Sequence, residues 1–309
     1  MFEAVPLISR DPEGVEKTQT VGLVSCACWD HHATVGWEKS GFLIIATATL
    51  LGCGLIFPYL TVVIKNLMPA VLPFISQAAG LPPSLGVFAV FMILASVCGM
   101  VTFSLFYEYI NHRNVKNSRF IRILNKVGLF VTTICCLGLI VTVCNPVGYT
   151  DVPNKFQWVV TVLYEHGTGA SMILIGGALF QYVWAALWFC LPYTTKTEKS
   201  IKLFFIVIYF IFFIITLYPM ISFILEELGP NPFDFESMKA IAYVMPIKYS
   251  TAYMICAFCE WALCILSIVH ILTHFKDLQR VSFRIVLRHK SCLEEKEDPV
   301  PSISLKVLS

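Results

Sequence analysis

Three groupings of residues in this chain are of types that could do chemistry. The first is Glu260-Trp261, a carboxylate followed by an indole near the middle of the apolar run from Tyr249 to Leu272. That run is about one bilayer long at roughly 1.5 Å per helical residue. A charge at mid-bilayer costs about 3 kcal/mol on insertion scales, so such a residue usually faces a bundle interior and has a reason to be there. Glu260 could serve as a proton or ion relay. The reading favoured is a structural carboxylate, protonated or hydrogen-bonded to a polar group on a neighbouring helix, with Gln181 and the indole N–H of Trp184 as candidate partners. Trp261 itself reads as packing. The second grouping is Glu165-His166 with Asp151, a histidine and carboxylates at a membrane mouth. Such a set could do acid–base work, and a histidine there also commonly caps a helix. The third is the basic series Lys276, Arg280, Arg284 and Arg288, spaced by four.

Other chemistry is not signalled. There is no Gly-x-Ser-x-Gly elbow, no His-Glu-x-x-His and no phosphate-cradling glycine loop. Cys256-x-x-Cys259 lies inside an apolar run, without matching His spacing for zinc, and reads as packing. The expectation is a protein that is not an enzyme, with no catalytic residues, cofactor or metal, and with no nucleic-acid partner.

The elements that must position these groups follow from composition. Of 309 residues, 57% are hydrophobic and 14% charged, against about 45–50% and roughly 25% in soluble domains. Six apolar runs, about 41–64, 84–107, 124–144, 168–191, 201–225 and 249–272, are each long enough to cross a bilayer as a helix. Because irregular backbone is not tolerated in lipid, the fold class expected is all-α: a polytopic membrane protein of six transmembrane helices. Gly176-Gly177 permits close helix approach in the fourth run.

Lys and Arg set the orientation. With the N-terminus in the cytosol, the far side holds only Lys65, Lys155, Lys239 and Lys248 of the 22 Lys and Arg. Both termini are therefore expected to be cytosolic. The first far-side loop, Lys65 to Pro83, is apolar and proline-rich and is expected to lie on or dip into the outer interface. None of the 12 cysteines falls in a far-side loop, so no disulfide framework is expected there.

The chain then divides into a disordered cytosolic tail, 1–40, a six-helix domain, 41–272, and a cytosolic C-terminal segment, 273–309. In the first tail Glu3, Leu7 and Ile8 fit an acidic dileucine pattern of the kind clathrin adaptors read. Cys26 and Cys28, and Cys292 near the other end, are candidates for palmitoylation or are free cytosolic thiols. In the C-terminal segment, Lys276, Arg280, Arg284 and Arg288 fall within one helical arc of about 120°. Phe275, Leu278, Val281, Ile285 and Val286 lie opposite, and Phe283 and Leu287 break the pattern. The expectation is a basic amphipathic helix on an anionic leaflet, with membrane lipids, anionic phosphoinositides among them, as partners. Ordinary positive-inside flanking would leave the same charges without a helix. The end from Glu294 to Pro299 is acidic and expected to be disordered.

Three segments together resemble the DRAM family, the damage-regulated autophagy modulators and their relatives. They are Leu72-Pro73-Phe74-Ile75-Ser76 followed by Pro82-Pro83, His166-Gly167-x-Gly169, and Cys259-Glu260-Trp261 continuing to Phe275–Arg284. The resemblance covers about residues 41–285. It implies a non-enzymatic membrane protein that tunes autophagy and, in some members, cell survival or death. It supplies no catalytic residues. The wider group includes a factor of GPI-anchor lipid remodelling, for which His166 would sit at the membrane mouth, and plasma-membrane relatives tied to phosphoinositide-kinase recruitment. An ion or proton channel using Glu260 is the alternative from a different class. The 40-residue N-terminal tail departs from the family pattern, which leaves endosome, lysosome and plasma membrane as alternative locations.

Overall fold

The computed structural model describes residues 33–37, 39–68, 72–80, 82–147, 157, 159–191, 195–228, 251–279, 281–287 and 304–307. The chain divides into two compact units, Phe42–Phe275 and the pair of end segments Met1–Gly41 with Lys276–Ser309.

All six apolar runs are helices, and all six are long and apolar enough to span a membrane. They are α1 Phe42–Ile64, α3 Ser84–Arg113, α4 Arg119–Cys144, α5 Tyr164–Cys190, α6 Lys196–Leu228 and α7 Thr251–Leu272, with a one-turn helix α2 at Ile75–Ala78. Several overrun their apolar runs at the basic end. α3 continues to Arg113, α4 starts at Arg119 and α6 starts at Lys196. Lys and Arg are good helix formers, and their long stems let the charged head reach out of the apolar layer.

The helices pack in a closed ring that follows chain order: α1 on α3, α3 on α4, α4 on α5, α5 on α6, α6 on α7, and α7 back on α1. The α4–α5 pair is the most extensive, and glycine is the reason. A Cβ at Gly138 would stand 2.8 Å from the Gly169 carbonyl oxygen and from Met172 Cβ, and one at Gly169 would stand 2.7 Å from the Thr142 amide nitrogen. These are backbone contacts that cannot move aside. The Gly176-Gly177 pair serves two neighbours at once. A Cβ at Gly176 would meet Cys135 Sγ of α4 at 2.6 Å, and one at Gly177 the Tyr209 hydroxyl of α6 at 2.6 Å. In lipid, where burial of apolar surface gives helices little reason to associate, such close approach is what holds them.

The end segments form a three-stranded antiparallel sheet: β1 Ala33–Trp37, β2 Val281–Leu287 and β3 Ser304–Val307, with β2 central. This corrects the expected amphipathic helix. Among the described residues helix survives as α8, Phe275–Leu278, and Val281–Leu287 is extended. The physical reason lies in the period. A spacing of four fits a helical face and an alternating strand alike. Val281, Phe283, Ile285 and Leu287 then fall at alternate positions, so Phe283 and Leu287 cease to be exceptions and Val286 becomes the one that remains, and this β-branched and aromatic stretch favours a strand. The sheet also corrects the expected disorder of the N-terminal tail at Ala33–Trp37, and the acidic end from Glu294 to Pro299 lies outside the described residues. Lys276 is exposed and Arg284 lies in β2. Arg280, Arg288, Glu3, Leu7, Ile8, Cys26, Cys28 and Cys292 lie outside the described residues.

The ring makes a paired prediction. Gly138→Ala or Gly169→Ala should lower the melting temperature of the detergent-solubilised protein, an overpacking cost of about 1–3 kcal/mol. Gly52→Ala or Gly167→Ala, where an added Cβ meets nothing within 4 Å, should leave it unchanged or raise it slightly. Equal effects at all four would show that α4–α5 contact is not close.

Candidate functional site

The segment from Leu72 to Gly80, between α1 and α3, does more than touch the interface. It turns into the ring. Ile75 and Ala79 are buried among Leu55 of α1, Phe88 and Met92 of α3 and Val143 of α4, with Trp261, Cys264 and Ile268 of α7 packed against them. Irregular backbone at this depth survives only if its polar groups bond within the protein.

Helix α7 supplies the bonds. Pro73 has no N–H to satisfy. The Phe74 N–H donates to the Tyr253 hydroxyl at 3.4 Å and the Ile75 N–H to Glu260 Oε2 at 3.0 Å. The N–H groups of Gln77, Ala78, Ala79 and Gly80 donate within the loop, to carbonyls of Phe74, Ile75 and Gln77. In the other direction, Trp261 donates its indole N–H to the Pro73 carbonyl at 2.8 Å. The Tyr253 hydroxyl donates to Gln77 Oε1. Edge-on ring contacts close the joint: Phe74 on Tyr253 at 4.9 Å and Tyr59 on Trp261 at 5.6 Å. Ser76 stands half-buried beside them. Two stretches singled out separately in the sequence, Pro73-Phe74-Ile75-Ser76 and Glu260-Trp261, thus meet in one joint.

Glu260 acts here as a helix cap supplied from another helix. Phe74, at the N-cap of α2, makes no side-chain capping bond, and the half-buried carboxylate takes the amide of the first helical residue instead. A hydrogen bond contributes about 0.5–1.5 kcal/mol net, and an orphaned amide in its place costs about 1–3 kcal/mol. Together these offset the cost of placing the carboxylate in the membrane. Trp261, expected to be packing, packs and donates as well.

The expected partners of Glu260 lie elsewhere, and this is a correction. Gln181 and Trp184 are buried in α5, and neither Gln181 Oε1 nor Trp184 Nε1 has a hydrogen-bond partner among the described residues. Trp184 packs on Phe106 at 5.2 Å and on His274 at 5.6 Å, toward the basic end of the ring. Residue type and depth suggested the pairing. The inward turn of a loop that itself needs hydrogen bonds could not be read from either.

His166 is buried, and its Nδ1 lies 3.1 Å from the Thr142 carbonyl and 2.8 Å from the Asn145 carbonyl. With two carbonyl acceptors, Nδ1 carries the proton, and the ring caps the C-terminal end of α4. Gly167 and Glu165 are exposed, and Asp151 lies outside the described residues. Among the described residues no grouping of His, Cys, Asp and Glu could hold a metal ion.

A further group went unnoticed in the sequence. Lys202 of α6, His270 of α7 and His274 just beyond it are buried together. Lys202 Nζ lies 3.1 Å from His274 Nδ1 and 4.2 Å from the centre of the Trp188 ring. The signal was present: a cation inside the fifth apolar run, and two histidines four apart at the close of the sixth.

Comparison with known proteins follows the same segments. The family model described as Frag1/DRAM/Sfk1/Cwh43P N-terminal domain matches residues 39–281. DNA damage-regulated autophagy modulator protein 2 of Bos taurus is 23% identical over 251 residues, covering 81% of this chain and 88% of that protein. Its Homo sapiens counterpart is 22% identical over 256 residues, with coverage of 81% and 88%. DNA damage-regulated autophagy modulator protein 1 of Xenopus laevis is 23% identical over 252 residues, with coverage of 81% and 89%. No solved structure matches.

Glu260→Ala should speed hydrogen exchange at the Ile75 amide, with a stability loss of about 1–3 kcal/mol. Glu260→Gln keeps an acceptor and should do less. Exchange at Ile75 that is indifferent to both changes would show that the carboxylate does not hold the loop.

Proposed function

Because the chain belongs to the Frag1/DRAM/Sfk1/Cwh43P family, we propose that it is a non-enzymatic multi-pass membrane protein that modulates autophagy. The relatives' names carry the process. The family model over residues 39–281 is the observation that ties this chain to them, and within this chain the segments behind the family resemblance are bonded to each other in one joint. The same joint supports a structural carboxylate over an ion relay. The oxygen nearest the loop is engaged by a backbone amide, and the loop occupies the space a conduction path would need on that side of the ring.

The Lys and Arg distribution supports cytosolic termini. In that orientation the exposed basic residues face an anionic leaflet, and lipid or protein contact on the cytosolic side is how the modulation would be exerted. The Glu3, Leu7 and Ile8 pattern favours an endosomal or lysosomal address through a clathrin adaptor.

The test is turnover of the lipidated autophagy marker after starvation. Cells lacking the protein should show altered turnover, restored by the wild type and not by a Glu260→Ala, Trp261→Phe double variant of matched abundance. Imaging the tagged protein with Glu3, Leu7 and Ile8 changed to Ala should move internal signal to the cell surface. Turnover that is the same with and without the protein would sink the autophagy reading.

A further inference from the structure

The basic end of the ring carries side chains that the function above leaves unused. Gln181, Trp184 and Trp188 lie along one face of α5, at most 2% exposed, and His270 of α7 is 0% exposed. Gln181 Oε1, the indole N–H groups of Trp184 and Trp188 and both ring nitrogens of His270 have no hydrogen-bond partner among the described residues. Buried polar groups in proteins are ordinarily bonded, so a concentration of exceptions in one place points to a ligand. Their chemistry says which kind. An indole N–H only donates, a neutral imidazole donates once, and an ammonium donates three times without accepting. Lys202 adds its charge to the same group, held over the Trp188 ring and beside His274. The complement of these donors is an acceptor that carries negative charge; Gln181 Oε1, itself an acceptor, is not one of them.

The approach to the group is graded. Lys196, Lys199 and Lys202 recur every three residues along the first two turns of α6, the first exposed, the second half-buried and the third buried. Lys199 Nζ donates to the Phe189 carbonyl at 3.2 Å, at the exposed end of α5. Ile201, Leu203 and Phe204 stand exposed around Lys202, an apolar surface suited to acyl chains. Glu198 is an acid within electrostatic reach of Lys202 and Arg113. It is exposed, and its Oε2 accepts from the Thr195 amide and hydroxyl, each at 2.9 Å. The flexible stem of Lys202 is the element that can swing outward along this series to meet an incoming group.

We propose that this end of the ring binds a phosphate oxyanion, with the headgroup of an anionic membrane lipid as the source that its place among the basic helix ends fits. Lys202 would supply the charge, the Trp188 and Trp184 indoles and His270 neutral donors, and Lys196 and Lys199 the approach. The inference gives the lipid contact proposed above a site, and it is independent of the autophagy reading.

Thermal unfolding of the purified full-length protein tests it. Nanodiscs of phosphatidylcholine alone are compared with nanodiscs containing phosphatidic acid, and inorganic phosphate is titrated separately. Phosphatidic acid should raise the unfolding midpoint of the wild type. The rise should be largely lost in Lys202→Gln, reduced in Trp188→Phe, and kept in Lys116→Gln, which removes a cation from the α3–α4 loop. If Lys202→Gln fails to fold, Trp188→Phe still carries the test, because it keeps a ring and removes only the donor and one fused ring. A rise with inorganic phosphate and the same variant pattern would support the oxyanion site and assign it to a free ligand. No rise in the wild type, or an equal rise in wild type, Lys202→Gln and Trp188→Phe, would overturn the proposal.

Discussion

Backbone that leaves the helix inside a membrane must find its hydrogen bonds within the protein, since each unmet group costs several kcal/mol there. The loop from Leu72 to Gly80 meets this demand by borrowing three consecutive kinds of group from α7: a phenol, a carboxylate and an indole. Glu260 is best understood through that demand. Its cost in the bilayer is offset because removing it would strand an amide in the same place. A carboxylate that looks out of place in its own helix is in place relative to the loop.

The two ends of the ring solve opposite problems. The far end is closed by an inserted segment whose apolar side chains, Ile75 and Ala79, fill the space between α1, α3, α4 and α7. The basic end has no inserted segment among the described residues and is filled by large rings from the helices themselves. Phe103 and Phe106 of α3 meet Phe180 and Trp184 of α5, and His270 stacks on Phe205 of α6 at 5.8 Å. Between the ends, glycines let α4 and α5 approach until backbone nearly touches backbone. There close packing is joined by bonds such as that of Ser96 Oγ to the Cys136 carbonyl at 2.8 Å.

The spans were legible in the sequence because hydrophobic length is a one-dimensional signal that lipid enforces on each helix separately. Gly176-Gly177 was legible for the same reason, as a local pair. Gly138 and Gly169 were not, because their meaning lies in facing each other across two helices. The strand at Val281–Leu287 was misread because a period of four serves a helix and a strand equally, and the deciding evidence was in the two residues that did not fit. The significance of Glu260 was legible and its partner was not. Depth in the membrane is readable from a helix, whereas the inward turn of a loop depends on space that three other helices leave open.

That dependence has a consequence for assembly. Ile75 and Glu260 are 185 residues apart in the chain, and the ring closes where α7 returns to α1, two helices at opposite ends of the span order. That closing pair is the least extensive of the six, and α2 touches both of its members. When the first five spans have been inserted, the loop has neither its amide acceptors nor the wall that Trp261, Cys264 and Ile268 provide. Its backbone groups can be satisfied only by water at the interface until α7 arrives. Docking of the loop and closure of the ring are then one event: α7 satisfies the loop, and the loop fills the gap at which α7 would otherwise pack poorly on α1. The carboxylate sits at the point where the two requirements coincide, on the helix that is made last.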